Sequence, residues 1–350
     1  MEILKRKGNS KLNRKIGQKV KNVVKYIDRN VYKGGSNMVQ DNEIKAVVSP
    51  FAVREGEIKT FDGKDGYVSM NQIIHKINIG HINDLHFKIL ELVNEFEFMT
   101  SRQLFQMLEW KNVEIASQDK LNNKLEQLVK SKILTRYYFT GEDGKGIYRI
   151  YCLEKMGKYL LNSRGVECKW QPTDNTKPVE MIKKRLAGNQ TIIAYLRKVK
   201  AFDSYTVKPA ITAKMAGKIF KATGGSVKLS KNQKSIEFLF EVVRRETDWK
   251  KKLVDKMRLY KDFYENYVLM DSGFSSMPQL IIICEDEKHM AETFKEIVVN
   301  QVEINNINLY FSTDLRQNEE TLSKTLVEFR IDEETKKYKM ANVEVKLLGL

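Results

Sequence analysis

Between residues 82 and 165 the apolar residues change spacing from helical to alternating and back, and this change of period constrains the fold more than any other feature of the chain. Leu85, Ile89, Leu92, Val93 and Phe96 fall on one helical stripe. Thr100 with Gln103 three residues later is a capping-box pattern, which predicts a second helix carrying Leu104, Phe105 and Leu108. After a polar break at 111–114, a third helix is predicted from near Ser117, with Leu121, Leu125, Leu128 and Val129 inward. Two strand-like runs, 133–139 and 147–153, flank Gly141-Glu142-Asp143-Gly144-Lys145-Gly146, which suits a hairpin tip. A further helix over 154–163 ends at Gly165.

Helix, helix, helix, hairpin is the order of a winged helix-turn-helix. In such a module the second helix of the helix-turn-helix unit lies in the major groove and its outward face meets base edges. Lys120, Asn123, Lys124 and Gln127 share the flank opposite the leucines, with Asn122 close by. Asn and Gln pair bidentately with adenine, and Lys reaches guanine or a phosphate. Lys145 at the hairpin tip, with Arg136 and Tyr137 on its first strand, is expected to touch backbone or minor groove. The plainer alternative is a solvated polar face, and winged helices also mediate protein contacts, so fold alone does not fix the role.

Charge points the same way. The chain of 350 residues carries a formal net charge of +16. Over half of that surplus lies in the first thirty-five residues, where eleven Lys or Arg face only Glu2 and Asp28. Lys5, Arg6, Lys7, Lys11, Arg14 and Lys15 lead this arm. Such a density of cations suggests a polyanionic partner, here double-stranded DNA held by a non-specific electrostatic clamp. Ile16, Val20, Val23, Val24 and Ile27 recur at helical spacing, so part of the arm is expected as an amphipathic helix before Gly34-Gly35. Residues 36–78 are polar and weakly periodic, and disorder or irregular structure is expected through much of them.

Several classes are disfavoured. Cys152, Cys168 and Cys284 are odd in number and far apart, which argues for free thiols in a reducing cytoplasm. The four histidines are not spaced with them as a zinc site. The basic N-terminus lacks the apolar core of a secretory signal, and no segment is apolar enough to span a bilayer, so a cytoplasmic protein without a membrane partner is expected. There is no GxxxxGK[ST] phosphate loop and no GxSxG elbow. His81 and His86 lack a close third ligand of the kind a rolling-circle relaxase needs, and only His289 lies in the C-terminal half, too few for a tyrosine recombinase.

Residues 168–178 read as a linker, and the chain then changes character. Helices are predicted at 179–199, 248–267 and 287–300, and strands at 205–209, 227–229, 235–243, 279–284 and 307–312, with strands returning near 326–331 and 343–348. Strands alternating with helices imply a mixed α/β sheet covered on at least one face.

These motifs together resemble the replication-relaxation proteins of plasmids and integrative elements. The winged-helix part of the resemblance rests on Thr100-Ser101-Arg102-Gln103-Leu104, Lys124-Leu125-Glu126-Gln127-Leu128-Val129, Ile133-Leu134 and Tyr148-Arg149-Ile150-Tyr151-Cys152-Leu153 followed by Gly157. The second part rests on Phe238-Leu239-Phe240-Glu241-Val242-Val243-Arg244, then Lys256 and Tyr260, then 279–284. The resemblance implies a second domain similar to the PD-(D/E)XK nuclease fold and a role in replication or conjugative mobilisation. Metal-dependent cleavage in that fold needs clustered carboxylates and a Lys. Glu241 supplies a carboxylate, but Val243 stands where the Lys is wanted, and the preceding strand is entered through Gly224-Gly225-Ser226 with no acid. Lys256, with Glu246 or Asp248, is the weak substitute.

The sequence therefore predicts a basic, partly disordered arm over 1–78, a winged helix over 79–166, a linker over 167–178 and a degenerate nuclease-like α/β domain over 179–350. The expected function is DNA binding without catalysis and without a cofactor or metal. Two other readings stay open: a divergent magnesium-dependent nuclease or nickase using Glu241, and an assembly protein that docks a relaxase or replication factor.

Overall fold

The computed structural model describes residues 49–141, 146–304, 307–319, 322–331 and 338–343. The basic arm with its expected helix, and the hairpin tip with Lys145, lie outside the described residues. Among the described residues the architecture is mixed α and β, with three separate sheets.

The first four-stranded sheet has the order β1-β3-β4-β2, with β1 at Ile58–Phe61, β2 at Met99–Thr100, β3 at Leu134–Thr140 and β4 at Gly146–Leu153. Around it lie α1 (Met70–Asn78), α2 (Asp84–Phe96), α3 (Ser101–Trp110), α4 (Gln118–Lys130) and α5 (Lys155–Ser163). The apolar stripes named above are the buried faces of these helices: Ile89, Leu92, Val93 and Phe96 on α2, Leu104 and Leu108 on α3, Leu121, Leu125, Leu128 and Val129 on α4. The capping box at α3 is complete. Thr100 Oγ1 accepts from the Gln103 amide at 3.1 Å and Gln103 Oε1 accepts from the Thr100 amide at 3.1 Å.

Of the stretch 36–78 expected to be irregular, 36–48 lie outside the described residues, 49–57 and 62–69 are turns and loops, and Ile58–Phe61 and Met70–Asn78 are regular elements. Phe51 is buried against Tyr148, β1 pairs antiparallel with β3, and α1 opens on a capping box at Ser69. These elements are not periodic in sequence because long-range partners hold them. β1 is a strand since β3 offers it an edge, and the side chain of Glu57 is buried because Lys183 meets it.

The second sheet has seven strands in the order β13-β12-β11-β10-β9-β8-β5. These are β5 (Phe202–Thr206), β8 (Gly225–Lys231), β9 (Lys234–Val242), β10 (Gln279–Cys284), β11 (Tyr310–Thr313), β12 (Val327–Ile331) and β13 (Tyr338–Asn342). A small third sheet is the hairpin of β6 (Ala210–Ala213) and β7 (Lys218–Lys221). β9, β10 and β11 run parallel, while β8 is antiparallel to β9 and β5 to β8. The remaining helices are α6 (Val179–Lys198), α7 (Trp249–Glu265), α8 (Leu269–Ser272), α9 (Glu287–Val299), α10 (Asp314–Glu319) and α11 (Leu322–Thr325). α7 and α9 are the crossovers that parallel strands require.

Alternation along β9 and β10 sorts the core into two faces. Phe238, Phe240, Val242, Ile281 and Ile283 pack with α6, while Leu239, Leu280, Ile282 and Cys284 pack with α7 and α9. Glu241 therefore points to the α7 face. On the other face α6 comes very close to the sheet edge: a Cβ on Gly188 would lie 2.7 Å from the Thr223 carbonyl oxygen, and one on Gly224 would lie 2.6 Å from Phe240 Cβ. Only glycine permits both approaches.

The expected linker is a packed segment. It contains a 3-10 turn at Pro172–Thr176, and Lys59 Nζ donates to the carbonyls of Asn175 and Lys177, each at 2.8 Å. α6 ties the two sheets into one apolar core. Asn189 Nδ2 donates to the carbonyls of Phe96 (3.1 Å) and Phe98 (2.8 Å), and Gln103 Nε2 donates to Leu186 O at 2.8 Å. Element bounds elsewhere move by a few residues. The strand expected at 307–312 starts at Tyr310, and the last described strand is β13, ahead of the expected 343–348, most of which lies outside the described residues.

Candidate nucleic-acid interface

α4 begins at Ser117, whose hydroxyl accepts from the Lys120 amide at 3.3 Å. With four leucine and valine side chains inward, Lys120, Asn122, Asn123 and Gln127 are exposed and Lys124 is half-buried. The five side chains read from sequence thus share one helix and reach solvent together. Two are positioned by neighbours. Gln118 Nε2 donates to Asn122 Oδ1 at 3.2 Å. Gln127 Oε1 lies 2.9 Å from Nε2 of the buried His86.

Burial depresses the His86 pKa below its ordinary value, opposed by its bond to Gln127. The ring is therefore neutral, and its Nδ1 meets Asn83 twice, 3.1 Å from the amide nitrogen and 2.9 Å from the side-chain Oδ1. Nε2 is hydrogen-bonded to the Gln127 side-chain amide. That bond engages one end of the Gln127 amide and leaves the other for a partner outside the protein.

Arg136 is a correction. It is buried, with Nη1 2.6 Å from Glu126 and Nε 2.8 Å from Asp62. Tyr137 is half-buried: β1 pairs along β3 with Phe61 opposite Tyr137, and the two rings meet edge-on at 5.8 Å. The first strand of the expected wing thus lies inside its sheet, between β1 and β4. Two exposed cations are missed by sequence reasoning. Arg102 opens α3 beside Ser101, whose carbonyl accepts from Gln118 Nε2 at 3.2 Å, and Arg149 lies on β4, 3.1 Å from Asp62. Both stand inside motifs quoted for the family resemblance, and that is the signal that could have found them.

The strand-end carboxylate is built differently from a metal site. Glu241 is buried. Its Oε1 accepts from Thr223 Oγ1 at 3.0 Å, and its Oε2 from Tyr260 OH at 2.7 Å and the Thr223 amide at 3.3 Å. Burial, and after it the charge of Glu241, raises the Tyr260 pKa well above the ordinary phenol value, so Tyr260 stays a donor. Lys256 Nζ is 3.9 Å from Glu241 and donates to Lys221 O at 2.6 Å. Thr223, a neutral donor, occupies the neighbouring strand entry. Glu246 is held by Lys184 and Lys252, and Asp248 precedes α7 with φ +57°. Among the described residues no group of three His, Cys, Asp or Glu is arranged to hold a metal ion.

The carboxyl ends of β9, β10 and β11 converge on a buried charge network. Arg244 Nη2 lies 2.8 Å from Asp314, whose other oxygen meets Ser49 Oγ. Arg245 spans Glu285 and Asp286, and Glu285 Oε1 accepts from the Val53 amide at 3.0 Å. The segment 49–57 thus closes the edge where open α/β sheets usually bind ligands.

No family model matches the chain, and no curated protein matches it. Among solved structures it is similar to restriction endonuclease FokI, with 11% identity and a TM-score of 0.24, over 66% of this chain and 42% of that one. The chain spans under half the length of that structure, and a likeness at this score carries no argument about fold. Among the described residues no helix is long and apolar enough to cross a membrane.

Proposed function

We propose that this protein binds double-stranded DNA without cleaving it and acts in replication or conjugative mobilisation of a plasmid or integrative element. The observation that carries the reading is α4. Its exposed flank gathers Lys120, Asn122, Asn123, Lys124 and Gln127, and a buried histidine holds one end of Gln127. Read this way, α2, α3, α4 and the β3–β4 hairpin are a winged helix, with α4 in the major groove. Arg102 contacts a phosphate from α3, while Lys145 and the arm with Lys5, Arg6, Lys7, Lys11, Arg14 and Lys15 supply sequence-independent attraction. The order α6, β5, β8, β9, α7, β10 supports the reading of the second half as a nuclease-like domain in which Thr223 and Val243 have replaced catalytic residues. Relaxase or replication proteins are the partners this reading implies.

The test is duplex binding by the full chain over a salt series. Lys120→Ala with Lys124→Ala weakens binding to the preferred site. Removal of residues 1–35 flattens the salt dependence, the log–log slope falling by about 0.9 for each phosphate that the arm no longer neutralises. If both changes leave affinity untouched, the protein-docking reading replaces this one. Incubation with supercoiled plasmid and Mg²⁺ leaves the plasmid intact. Nicking that disappears in Glu241→Ala overturns the non-catalytic reading.

A further inference from the structure

The β6–β7 hairpin is a two-stranded ribbon outside both large sheets, and its chemistry does not suit plain solvent. Between Asp203 and Glu237 the chain has seven lysines and no acid. The ribbon occupies the middle of that stretch. Its inner side is ordinary core: Ile211 and Ala213 are buried, and Phe220 meets Tyr260 edge-on at 5.0 Å. Its outer side carries Thr212, Ile219 and Lys221, all exposed. Ile219 is 74% exposed and Met215 is 80% exposed, where an exposed ribbon normally carries polar residues.

The tip is rigid. Asp262, on α7, accepts from the amides of Met215 (3.1 Å) and Ala216 (2.7 Å). Gly217 closes the turn at φ +60°, its amide donating to Lys214 O at 3.2 Å. Lys214 reaches Asp271 at 2.8 Å and so braces the tip against α8. Lys218 and Lys221 are exposed, and their ammonium groups have no partner among the described residues.

The geometry points to the β6–β7 ribbon as a second duplex-binding element that enters the minor groove, with Met215 as an apolar wedge between base steps and Lys218 and Lys221 on the flanking phosphates. An apolar side chain at a fixed tip between lysines is the device by which minor-groove proteins unstack a step and bend DNA. A membrane surface fits less well, because it calls for a broad apolar face and this one narrows to a tip. The inference rests on the reading of the protein as a duplex binder, and it adds a second contact and a bend.

The test uses the full chain and an end-labelled duplex carrying a donor and an acceptor fluorophore. Wild-type protein binds and raises energy transfer as the ends approach. Met215→Ala keeps affinity within a few-fold but loses the rise. Lys218→Ala with Lys221→Ala lowers affinity and takes about 1.8 from the log–log salt slope. Circular dichroism and melting confirm that these surface variants fold. If all three substitutions leave both bend and affinity at wild-type values while Lys120→Ala with Lys124→Ala weakens binding, the ribbon inference is wrong and the proposed function stands. If wild-type protein binds no duplex at all, the proposed function itself fails. Met215-dependent co-sedimentation with phosphatidylglycerol vesicles, together with an unchanged duplex bend in Met215→Ala, replaces DNA with a membrane as the ribbon's target.

Discussion

Lys183, in the second turn of α6, is buried completely and paired with Glu57, which belongs to the segment leading into the first sheet. Its ammonium also donates to the Ala52 carbonyl, and burial lowers its pKa below the ordinary lysine value. One side chain thus fastens 49–57 to α6. Removing one partner of such a pair strands the other charge in the interior. Lys183→Met lowers unfolding free energy by about 3–5 kcal/mol, measured by urea titration. Lys183→Met with Glu57→Gln costs less than Lys183→Met alone. A single mutant within about 1 kcal/mol of wild type shows that the pair does not hold the segment.

Arg136 separates a stability role from a binding role. Arg136→Met leaves Asp62 and Glu126 without their shared cation and lowers stability by about 2 kcal/mol, since hydrogen bonds to charged groups contribute in that range. Duplex affinity of the folded fraction is unchanged. A selective loss of affinity with unchanged melting reinstates Arg136 as a DNA contact.

His86 and Gln127 act on sequence preference together. His86→Leu and Gln127→Ala each reduce discrimination against a mismatched site by about 1–3 kcal/mol, and the double variant does no worse than either single one. Non-specific affinity and its salt slope stay the same. Competition binding with single-base-pair variants of the preferred site measures this, and additive losses mean that the two residues act separately.

His289 predicts the acid limb of stability. Burial first, and then the nearby Arg245 and Arg244, push its pKa down to about 3, against 6.5 unfolded. Below 6.5 the unfolded chain takes a proton that the folded histidine refuses. Folding therefore carries no cost from this group above pH 6.5 and loses about 1.4 kcal/mol per pH unit from there down to about 3. The stability difference between wild type and His289→Leu shifts in favour of the variant through that window. A constant difference from pH 7 to 4 means that His289 titrates normally.

What is legible in the sequence is what periodicity records. Stripes such as Leu121, Leu125, Leu128 and Val129 need no partner to be read, because burial repeats every turn. The alternation through Phe238 to Val242 gives β9, and it also sets Glu241 and Val243 on one face. What stays hidden depends on residues far away in sequence. Arg136 looks free because its partners are Asp62 and Glu126, and the first of these stands in a run that reads as loop. Thr223 and Tyr260 cannot be assigned to Glu241 before the fold brings α7 against β9. The ribbon escapes notice because eight strand residues interrupted by Met215 and Gly217 give too few alternations to register, although the absence of acids from 204 to 236 is there to be counted.

α6 lends one side to the first sheet through Asn189 and Leu186 and another to the second through Ile192 and Ile193. A shared beam thus stands in place of a tether: α4 packs in the same apolar core as α6, and the β6–β7 ribbon packs with α7 on the other face of the second sheet. On the proposed duplex-binding reading the two elements form a caliper, and duplexes are expected to sort by the spacing between two features along their length as well as by the bases at either one.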